Sequence, residues 1–249
     1  MRGLLIDTTK CIGCGACAAG CREQNGLPET DAPDLNDRQF TVVKKATVGG
    51  TEVNYRRLCM HCQEPACVSV CPVGALQKTA TGAVTYEADK CLGCRYCMQA
   101  CPHGIPRYEW SSLNPRVRKC NFCVTRLEQG KPNACAEACP TGATIAGERD
   151  DLLKDARARL AQNPTSYVQH IYGENEAGGA SVMFLSAVPF ESFGFPMNLP
   201  NDPLPILTFR VLSKIPAIVG AGSVTLSALW WLTKRKQAVA KAEQVEVQS

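Results

Sequence analysis

Sixteen cysteines fall into four groups of four, and no cysteine is left over. Each group opens with Cys-x-x-Cys and closes with Cys-x-x-x-Cys, and a proline follows the last cysteine in three of them. The groups are Cys11, Cys14, Cys17, Cys21; Cys59, Cys62, Cys67, Cys71; Cys91, Cys94, Cys97, Cys101; and Cys120, Cys123, Cys135, Cys139. This is the bacterial ferredoxin spacing for cubane iron–sulfur clusters. The pattern therefore predicts four [4Fe-4S] clusters and the transfer of single electrons.

The spacing suits a cube because three thiolates two residues apart can curl round three of its corners. Gly13 and Gly93 each precede the second cysteine of their group, and glycine readily takes the left-handed conformation that such tight turns often need. Pro72, Pro102 and Pro140 end any helix there. We therefore expect each fourth cysteine to lie at or beyond a helical turn and to point away from its own loop.

Two groups depart from the regular spacing. Four residues separate Cys62 from Cys67, and eleven separate Cys123 from Cys135. Both insertions lengthen a loop and keep all four cysteines. In the first group, Arg22 stands where a proline is expected. We interpret these differences as variations within one type of site.

The cysteines have three other interpretations. Structural zinc also uses Cys-x-x-Cys pairs, but it does not explain the third nearby cysteine or the Cys-Pro endings. A disulfide framework suits small secreted chains, whereas 249 residues are enough for an ordinary core. A mixed set would contain one three-iron or lost cluster, although no cysteine position is substituted. Four intact four-iron sites are the expectation.

The net charge also fits bound clusters. The chain has a formal charge of +4, and four clusters of about −2 each would bring it to about −4. Several basic residues lie close to cysteines in the sequence and are interpreted as counter-charge: Arg22, Arg56, Arg57, Arg95, Arg107, Arg116, Arg118 and Lys119. The sequence has no basic stretch interleaved with aromatic residues, so no nucleic-acid partner is expected.

The segments between the cysteine groups predict short strands. Gly3–Asp7 reads as a strand, and 22–58 reads as a loop followed by strands that include Phe40–Val43. Residues 74–86 predict a hairpin that turns near Thr81 and Gly82, and 143–146 predict another strand. An α+β fold is therefore expected.

An internal repeat predicts the arrangement of these elements. One motif occurs twice, as Cys71-Pro-Val-Gly-Ala-Leu and as Cys139-Pro-Thr-Gly-Ala-Thr. In each copy a ligand is followed by a proline that interrupts the helix, then by a turn and a strand. Ferredoxin folds build a two-cluster lobe from two such halves. We therefore expect a domain over 1–147 with two pseudo-twofold-related, bacterial-ferredoxin-like lobes. The inner lobe would cover about 56–108, and the outer lobe 1–55 with 109–147.

The same topology predicts four ligand sets, because in two-cluster ferredoxins the fourth cysteine binds the other cluster of the pair. The first ligand set is Cys11, Cys14, Cys17 and Cys139. The second is Cys120, Cys123, Cys135 and Cys21. The third is Cys59, Cys62, Cys67 and Cys101. The fourth is Cys91, Cys94, Cys97 and Cys71.

After Gly147 the composition changes. Within 148–188, apolar residues at Leu152, Leu153, Ala156 and Leu160 mark one face of a helix, and the helix is expected to pack on the lobes. Residues 178–185 read as a buried strand. A proline-rich linker is expected over 189–214, irregular but ordered at least as far as residue 205, because 189–205 hold five prolines.

Residues 215–233 carry no charge and predict a transmembrane helix of about 28 Å. Trp230 and Trp231 lie at one end, where indole rings favour the membrane interface, and a basic-start polar tail follows over 234–249. A buried helix of a soluble protein is the competing interpretation. Small residues such as Gly220 and Gly222 would allow close packing against other membrane helices.

The flanking charges predict the orientation of this helix. Three basic residues follow the span at once, whereas Arg210 and Lys214 precede it, so the positive-inside rule favours a cytoplasmic C-terminus. The cluster domain would then lie in the periplasm of a two-membrane bacterium, anchored in the inner membrane. No signal peptide or twin-arginine segment precedes the first group. Export would then be as a folded complex with a signal-bearing partner; the alternative is a cytoplasmic domain.

Four strings resemble a known family: 58–62, 67–75, 93–97 and 172–179. The chain resembles, over nearly its whole length, the four-cluster ferredoxin-type beta subunits of membrane oxidoreductases, such as respiratory formate dehydrogenase and hydrogenase-2. Its segment 188–196 before a single span is similar to the hydrogenase-2 type, which carries a twin-arginine leader. The resemblance implies that the first and fourth groups pair, as do the second and third. It also implies a catalytic partner with a molybdenum or tungsten pterin or a nickel–iron centre, and a quinone-reactive membrane subunit.

Three classes of function are considered. The expected one is a non-catalytic electron-transfer subunit. A free ferredoxin-like carrier is disfavoured by the membrane anchor and the proline-rich linker. An enzyme would need its own active site, yet the only histidines are His61, His103 and His170. His61 and His103 adjoin cysteines and are interpreted as packing or potential-tuning residues. No Ser-His-Asp arrangement, paired carboxylates or glycine-rich phosphate loop is apparent.

Overall fold

A computed structural model describes residues 1–247 of the chain. Its described part contains nine β-strands and eight α-helices, which confirms the mixed α and β content. The chain divides into two compact units, one over Met1–Pro205 and one that begins at Ile206. All sixteen cysteines belong to the first unit.

A three-stranded sheet forms the centre of the first unit. Strand β1 (Arg2–Asp7) pairs antiparallel with β8 (Thr144–Glu148) and parallel with β9 (Val182–Leu185). Side chains alternate between its two faces, as the period of a strand requires. Leu4 and Ile6 pack with Phe184 on one face, whereas Leu5 packs on the other. The predicted strands at 3–7 and 143–146 are confirmed, and the strand predicted over 178–185 is shorter.

Helix α6 (Arg149–Gln162) covers the second face of this sheet. The four apolar residues that the sequence places on one face are all buried there: Leu152, Leu153, Ala156 and Leu160. The acidic side chains of Asp150 and Asp151 lie in the first turn, where they complement the helix dipole. The predicted helix and its buried apolar face are confirmed.

Three two-stranded hairpins connect the cysteine groups. They are β2 (Thr41–Val48) with β3 (Thr51–Leu58), β4 (Leu76–Lys78) with β5 (Val84–Tyr86), and β6 (Arg107–Tyr108) with β7 (Val117–Arg118). Gly49 and Gly50 both have positive φ in the tight turn between β2 and β3, which favours glycine. The strand expected around Phe40–Val43 and the hairpin expected over 74–86 are confirmed.

Short helices carry the third cysteine of each group, always as the second helical residue. These helices are α1 (Ala16–Asn25), α2 (Ala66–Ser69), α3 (Tyr96–Gln99) and α5 (Ala134–Glu137). Helix α4 (Val124–Glu128) lies inside the long insertion of the fourth group. Helix α1 is the longest of the five because Arg22 replaces the proline, so the helix continues past Cys21 to Asn25.

The proline-rich segment after β9 packs its aromatic side chains into the core. Phe190 and Phe193 lie in a 3-10 helix and are buried. The ring of Phe193 stacks on Tyr55 with a centroid separation of 4.5 Å. Phe195 lies 4.9 Å from Tyr172, again between ring centroids. The segment is irregular and ordered, as expected.

The second unit is helical. Helix α7 (Leu204–Leu212) begins at the end of the first unit and occupies part of the expected linker, which the sequence did not predict. Helix α8 (Ile215–Val247) starts where the span was predicted and continues well past residue 233. The reason is composition, because the tail is rich in Ala, Gln, Lys and Glu, which are good helix formers. Gln248 and Ser249 lie outside the described residues.

One helical stretch of the described chain, Leu204–Lys241, is long and apolar enough to cross a membrane by its length and composition. Basic side chains lie over the rings of Trp230 and Trp231 in α8. The ammonium of Lys234 lies 5.6 Å from the ring centroid of Trp230, and the guanidinium of Arg235 lies 5.4 Å from that of Trp231. Such cation–π pairs are typical of an apolar helix that ends in a polar region.

Candidate iron–sulfur centres

Each cysteine group contains a left-handed residue just before its second cysteine. These residues are Gly13 (φ +76°), His61 (φ +49°), Gly93 (φ +75°) and Phe122 (φ +60°). The sequence predicted this conformation for the two glycines but not for His61 and Phe122, because non-glycine residues rarely adopt it. Only the equivalent position of His61 and Phe122 in the repeat could have indicated a left-handed conformation there.

The cysteines of the first and fourth groups line two neighbouring cavities. One cavity of about 350 Å³ is lined by Cys11, Cys14, Cys17 and Cys139. The other, of about 310 Å³, is lined by Cys21, Cys120, Cys123 and Cys135. The last cysteine of each group therefore lies with the first three of the other group.

The second and third groups show a similar exchange. Burial raises the pKa of Cys62, and the neighbouring thiolates of Cys59, Cys101 and Cys67 raise it further. For Cys97, burial together with the neighbouring thiolates of Cys91, Cys94 and Cys71 raises the pKa to about 11. In each case a thiol from the end of the other group lies among the first three.

Backbone N–H groups point at the sulfurs of the cysteines. The amide of Ala75 donates to Cys71 Sγ at 3.2 Å, that of Phe122 to Cys120 Sγ at 3.3 Å, and that of Thr144 to Cys139 Sγ at 3.4 Å. For Cys71 and Cys139, burial acts to raise the pKa, but these and other N–H donors outweigh it and the pKa is lowered. The fold therefore favours thiolates at these two positions.

Most of the deeper thiols have the opposite tendency. Burial raises the pKa of Cys21 and of Cys67 to about 12, and neighbouring thiolates add to the effect. These thiols are neutral near pH 7 when no metal is bound. Metal binding must then release their protons, because the thiolate is the ligand.

A buried arginine lies beside both cavities of the first and fourth groups. Arg56 is 1% exposed and lines each cavity. Its Nη1 donates to Thr144 Oγ1 at 2.9 Å, and its Nη2 donates to Thr41 Oγ1 at 3.0 Å. Burial acts to lower the pKa of Arg56, but the thiolates of Cys135 and Cys17 outweigh it and raise the pKa. The interpretation of Arg56 as counter-charge fits this position.

Two lysines occupy comparable places, Lys78 at the second group and Lys119 between the second and fourth groups. Lys78 Nζ donates to the carbonyl oxygens of Cys62 at 2.8 Å and His61 at 3.0 Å, and burial lowers the pKa of Lys78 to about 8. Lys119 is buried and donates to the carbonyl of Val84 and, at 3.0 Å, to that of Cys120. The sequence did not indicate Lys78 as a counter-charge, since it lies on a strand seven residues from the nearest cysteine.

The residues present fit cubane clusters. Over residues 1–247, no three His, Cys, Asp or Glu side chains converge closely enough to hold a single metal ion. A [4Fe-4S] cluster needs a different arrangement, four thiolates spread round a cluster of four irons. Cysteines around a void, with N–H groups directed at their sulfurs, meet that requirement.

Comparison with known proteins gives the family. Residues 53–149 match the family described as a 4Fe-4S dicluster domain, and residues 10–75 match a second family of the same description. The formate dehydrogenase iron-sulfur subunit of Haemophilus influenzae is 34% identical over 248 residues, covering 90% of this chain and 77% of that protein. The hydrogenase-2 operon protein HybA of Escherichia coli O157:H7 is 37% identical over 238 residues, covering 78% and 72%. The chain belongs to this family of ferredoxin-type iron–sulfur subunits.

A further relative in Nitratidesulfovibrio vulgaris is 40% identical over 258 residues and covers 98% of this iron–sulfur subunit and 70% of its own length. The similarity therefore extends beyond the residues matched by the dicluster domains and includes the C-terminal part of the chain.

The three histidines of this iron–sulfur subunit are engaged in packing. His61 is buried and its Nδ1 accepts a hydrogen bond from the Val84 amide at 2.9 Å, while its ring lies 4.5 Å from that of Phe122. Burial lowers the pKa of His61 and brings that of His103 to about 4, so both are neutral near pH 7. His170 bonds Glu176 at 2.6 Å.

Proposed function

We propose that this chain is a non-catalytic subunit that relays electrons between a catalytic oxidoreductase subunit and a quinone-reactive membrane subunit. When bound, four [4Fe-4S] clusters would supply one-electron redox chemistry. The observation that carries the proposal is the exchange of the last cysteines, Cys21 and Cys139, between two cavities. It supports the first and second ligand sets, and the packing of Cys101 in one hydrophobic cluster with Cys59 and of Cys71 in one hydrophobic cluster with Cys91 and Cys97 supports the third and fourth.

The proposal includes a linear order of the four sets. Besides burial, the thiolate of Cys135 in the second set raises the pKa of Cys17 in the first. In the same way, Cys59 of the third set raises the pKa of Cys120 in the second, and Cys97 of the fourth set raises the pKa of Cys67 in the third. These neighbours support a path that runs from the first set to the fourth, with each transfer made between adjacent sets.

Two similarly related lobes would hold these sets. In the outer lobe, Asn54 of β3 donates to the carbonyl of Cys11 at 3.1 Å, beside the first loop. In the inner lobe, Tyr108 of β6 donates to the carbonyl of Gly93 at 3.5 Å, beside the third loop. In each lobe a hairpin side chain therefore supports the equivalent loop, which favours the pseudo-twofold arrangement.

The partners follow from the relatives and from α8. Two relatives are named for formate dehydrogenase and for hydrogenase-2, so the proposed catalytic partner carries a molybdenum or tungsten pterin or a nickel–iron centre. The proposed anchor is the 215–233 part of α8 in the bacterial inner membrane, with the cluster domain on the periplasmic side. Truncation after Pro205 should release the cluster domain from membranes, and continued sedimentation with membranes would contradict the anchor.

The ligand sets can be tested by comparing three serine variants of the anaerobically purified protein. If the sets are correct, Cys139→Ser perturbs the same electron paramagnetic resonance signal as Cys14→Ser, and a different signal from Cys123→Ser. The native protein should contain about sixteen irons. A far lower iron count, or zinc in place of iron, would overturn the proposed function. A shared signal for Cys139→Ser and Cys123→Ser would overturn only the exchange of ligands.

A further inference from the structure

One guanidinium is common to two proposed cluster sites. Arg56 projects from β3, three residues before the second cysteine group, yet it lines the cavities formed by the first and fourth groups. Over the described residues it is the only arginine that lines either cavity. Arg56 is 1% exposed, and desolvation of a charge costs several kcal/mol. Its burial therefore requires compensating interactions with negatively charged or hydrogen-bonding groups.

The hydrogen bonds of Arg56 to the two threonines leave its Nε–H without an acceptor. Thr144 and Thr41 accept from the two terminal nitrogens and hold the guanidinium in a fixed orientation. Its Nε–H is buried and has no partner among the described atoms. A buried donor without an acceptor is costly, so the orientation indicates an acceptor that fills one of the adjacent cavities.

We propose that Arg56 is a potential-setting residue shared by the first and second ligand sets. Its charge, and a hydrogen bond from Nε–H to sulfur of a bound cluster, would raise both reduction potentials together. This inference rests on the proposed function, because it requires clusters in these two sets.

The physical reason is electrostatic. Arg56 stays protonated at every accessible pH, so its charge is constant. A reduced cluster carries one more negative charge than an oxidised one, and a nearby cation in a poorly polarisable interior favours the reduced form. Because Arg56 lies beside both sets, it lifts both potentials together.

Two buried or half-buried lysines are used in a different way. Lys78 in the inner lobe and Lys119, next to Cys120 in the outer lobe, donate to backbone carbonyls, including those of Cys62 and Cys120. Arg107, whose charge acts on Cys101 of the third set, is only half-buried, and its guanidinium donates to the carbonyls of Leu35 and Gly104, unlike that of Arg56. The two lobes are expected to respond differently to removal of Arg56.

The test is a redox titration of the full-length protein, followed by electron paramagnetic resonance. Signals are first assigned with Cys14→Ser in the outer lobe and Cys94→Ser in the inner lobe. Arg56→Gln should shift the reduction equilibrium of both outer clusters toward the oxidised form by roughly tenfold or more, which is about 59 mV for a one-electron couple. The inner clusters should shift much less.

Two variants separate the possible causes. Arg56→Lys keeps a charge and loses the Nε–H donor, so it should give a smaller shift than Arg56→Gln. Arg38→Gln removes one charge from an arginine whose side chain is 56% exposed, and it should leave all four potentials unchanged. Unchanged outer potentials in iron-replete Arg56→Gln, or an equal shift of all four clusters, would overturn the inference.

A measurement on the native sequence removes the dependence on folding of the variants. Protein labelled with ¹⁵N in the guanidinium groups should show ¹⁵N coupling to the reduced outer clusters in pulsed spectra. Absence of that coupling would overturn the proposed hydrogen bond. A native protein without its iron would instead defeat the proposed function, so the two failures are distinguishable.

Discussion

The loops of the first and third cysteine groups differ from those of the second and fourth in their depth. Ile12 and Leu92, which follow the first cysteine of their groups, are 66% and 60% exposed. Met60 holds the same place in the second group and is 4% exposed. In the fourth group Asn121 holds that place and is half-buried, and the next residue, Phe122, is fully buried. One sequence pattern therefore builds two surface loops and two interior loops.

The difference matches the proposed path. The first and fourth ligand sets, which contain the surface loops, would be its ends, where electrons enter and leave. An aromatic side chain is also exposed next to the third group. Trp110 is 69% exposed, and the centroid of its ring lies 5.1 Å from the guanidinium carbon of Arg95. The interior loops would belong to the middle sets of the proposed path, where transfer would take place within the protein.

The largest effect should come from removal of an interior ligand. Cys123→Ser should lose about four of sixteen irons and abolish quinone-linked turnover, with partial survival of dye-linked activity at the partner. It should also lower the thermal midpoint more than Cys14→Ser, because Cys123 is buried and Cys14 is exposed. Iron analysis and calorimetry check this. Equal midpoints in the two variants would break the comparison.

The loop residues provide a test without changing a ligand. Phe122→Ala should destabilise the protein by about 3–5 kcal/mol, because it empties a fully buried site against His61. Ile12→Ala should change the stability by less than about 0.5 kcal/mol, since Ile12 is mostly exposed. Denaturant unfolding under anaerobic conditions measures both. Similar costs would show that depth does not distinguish the loops.

A smaller effect is expected at the left-handed glycines. Gly93→Ala should cost about 1–2 kcal/mol for its positive φ and somewhat more because a Cβ would lie 2.9 Å from Tyr108 Oη. Gly130→Ala is the matched control, since its φ is +73° but nothing lies within 4 Å of the new Cβ. The excess in Gly93→Ala measures the support given by β6. No excess would indicate that Tyr108 is free to move.

The smallest effect concerns the pH of cluster assembly. Burial raises the pKa of Cys21 to about 12, whereas the pKa of Cys139 is lowered by N–H donors that outweigh burial. Iron-free protein should therefore fill the second set more completely at pH 8.5 than at pH 7, and the first set should depend less on pH. Iron uptake followed spectroscopically checks this, and an equal pH dependence of the two sets would contradict it.

Sequence by itself determined the chemistry and the local structure. The spacing of the cysteines implies the cofactor because ligands two residues apart depend only on a short loop. In three groups the helix at the third cysteine ends before the Cys-Pro pair, whereas in the first group it continues past Cys21, where Arg22 stands instead of proline. The apolar stretch after Lys214 and the buried face of α6 were also readable, since periodicity and length are local properties.

Tertiary structure decided what lies far apart in the chain. Only the folded chain places Arg56 beside both outer cavities and pairs β9 in parallel with β1, whereas the meeting of Cys139 with Cys11 was already expected from the internal repeat. It also holds His61 and Phe122 in a left-handed conformation, which their residue types oppose. These contacts depend on the packing of a shared core, and no local pattern encodes which of several chemically suitable residues will meet there.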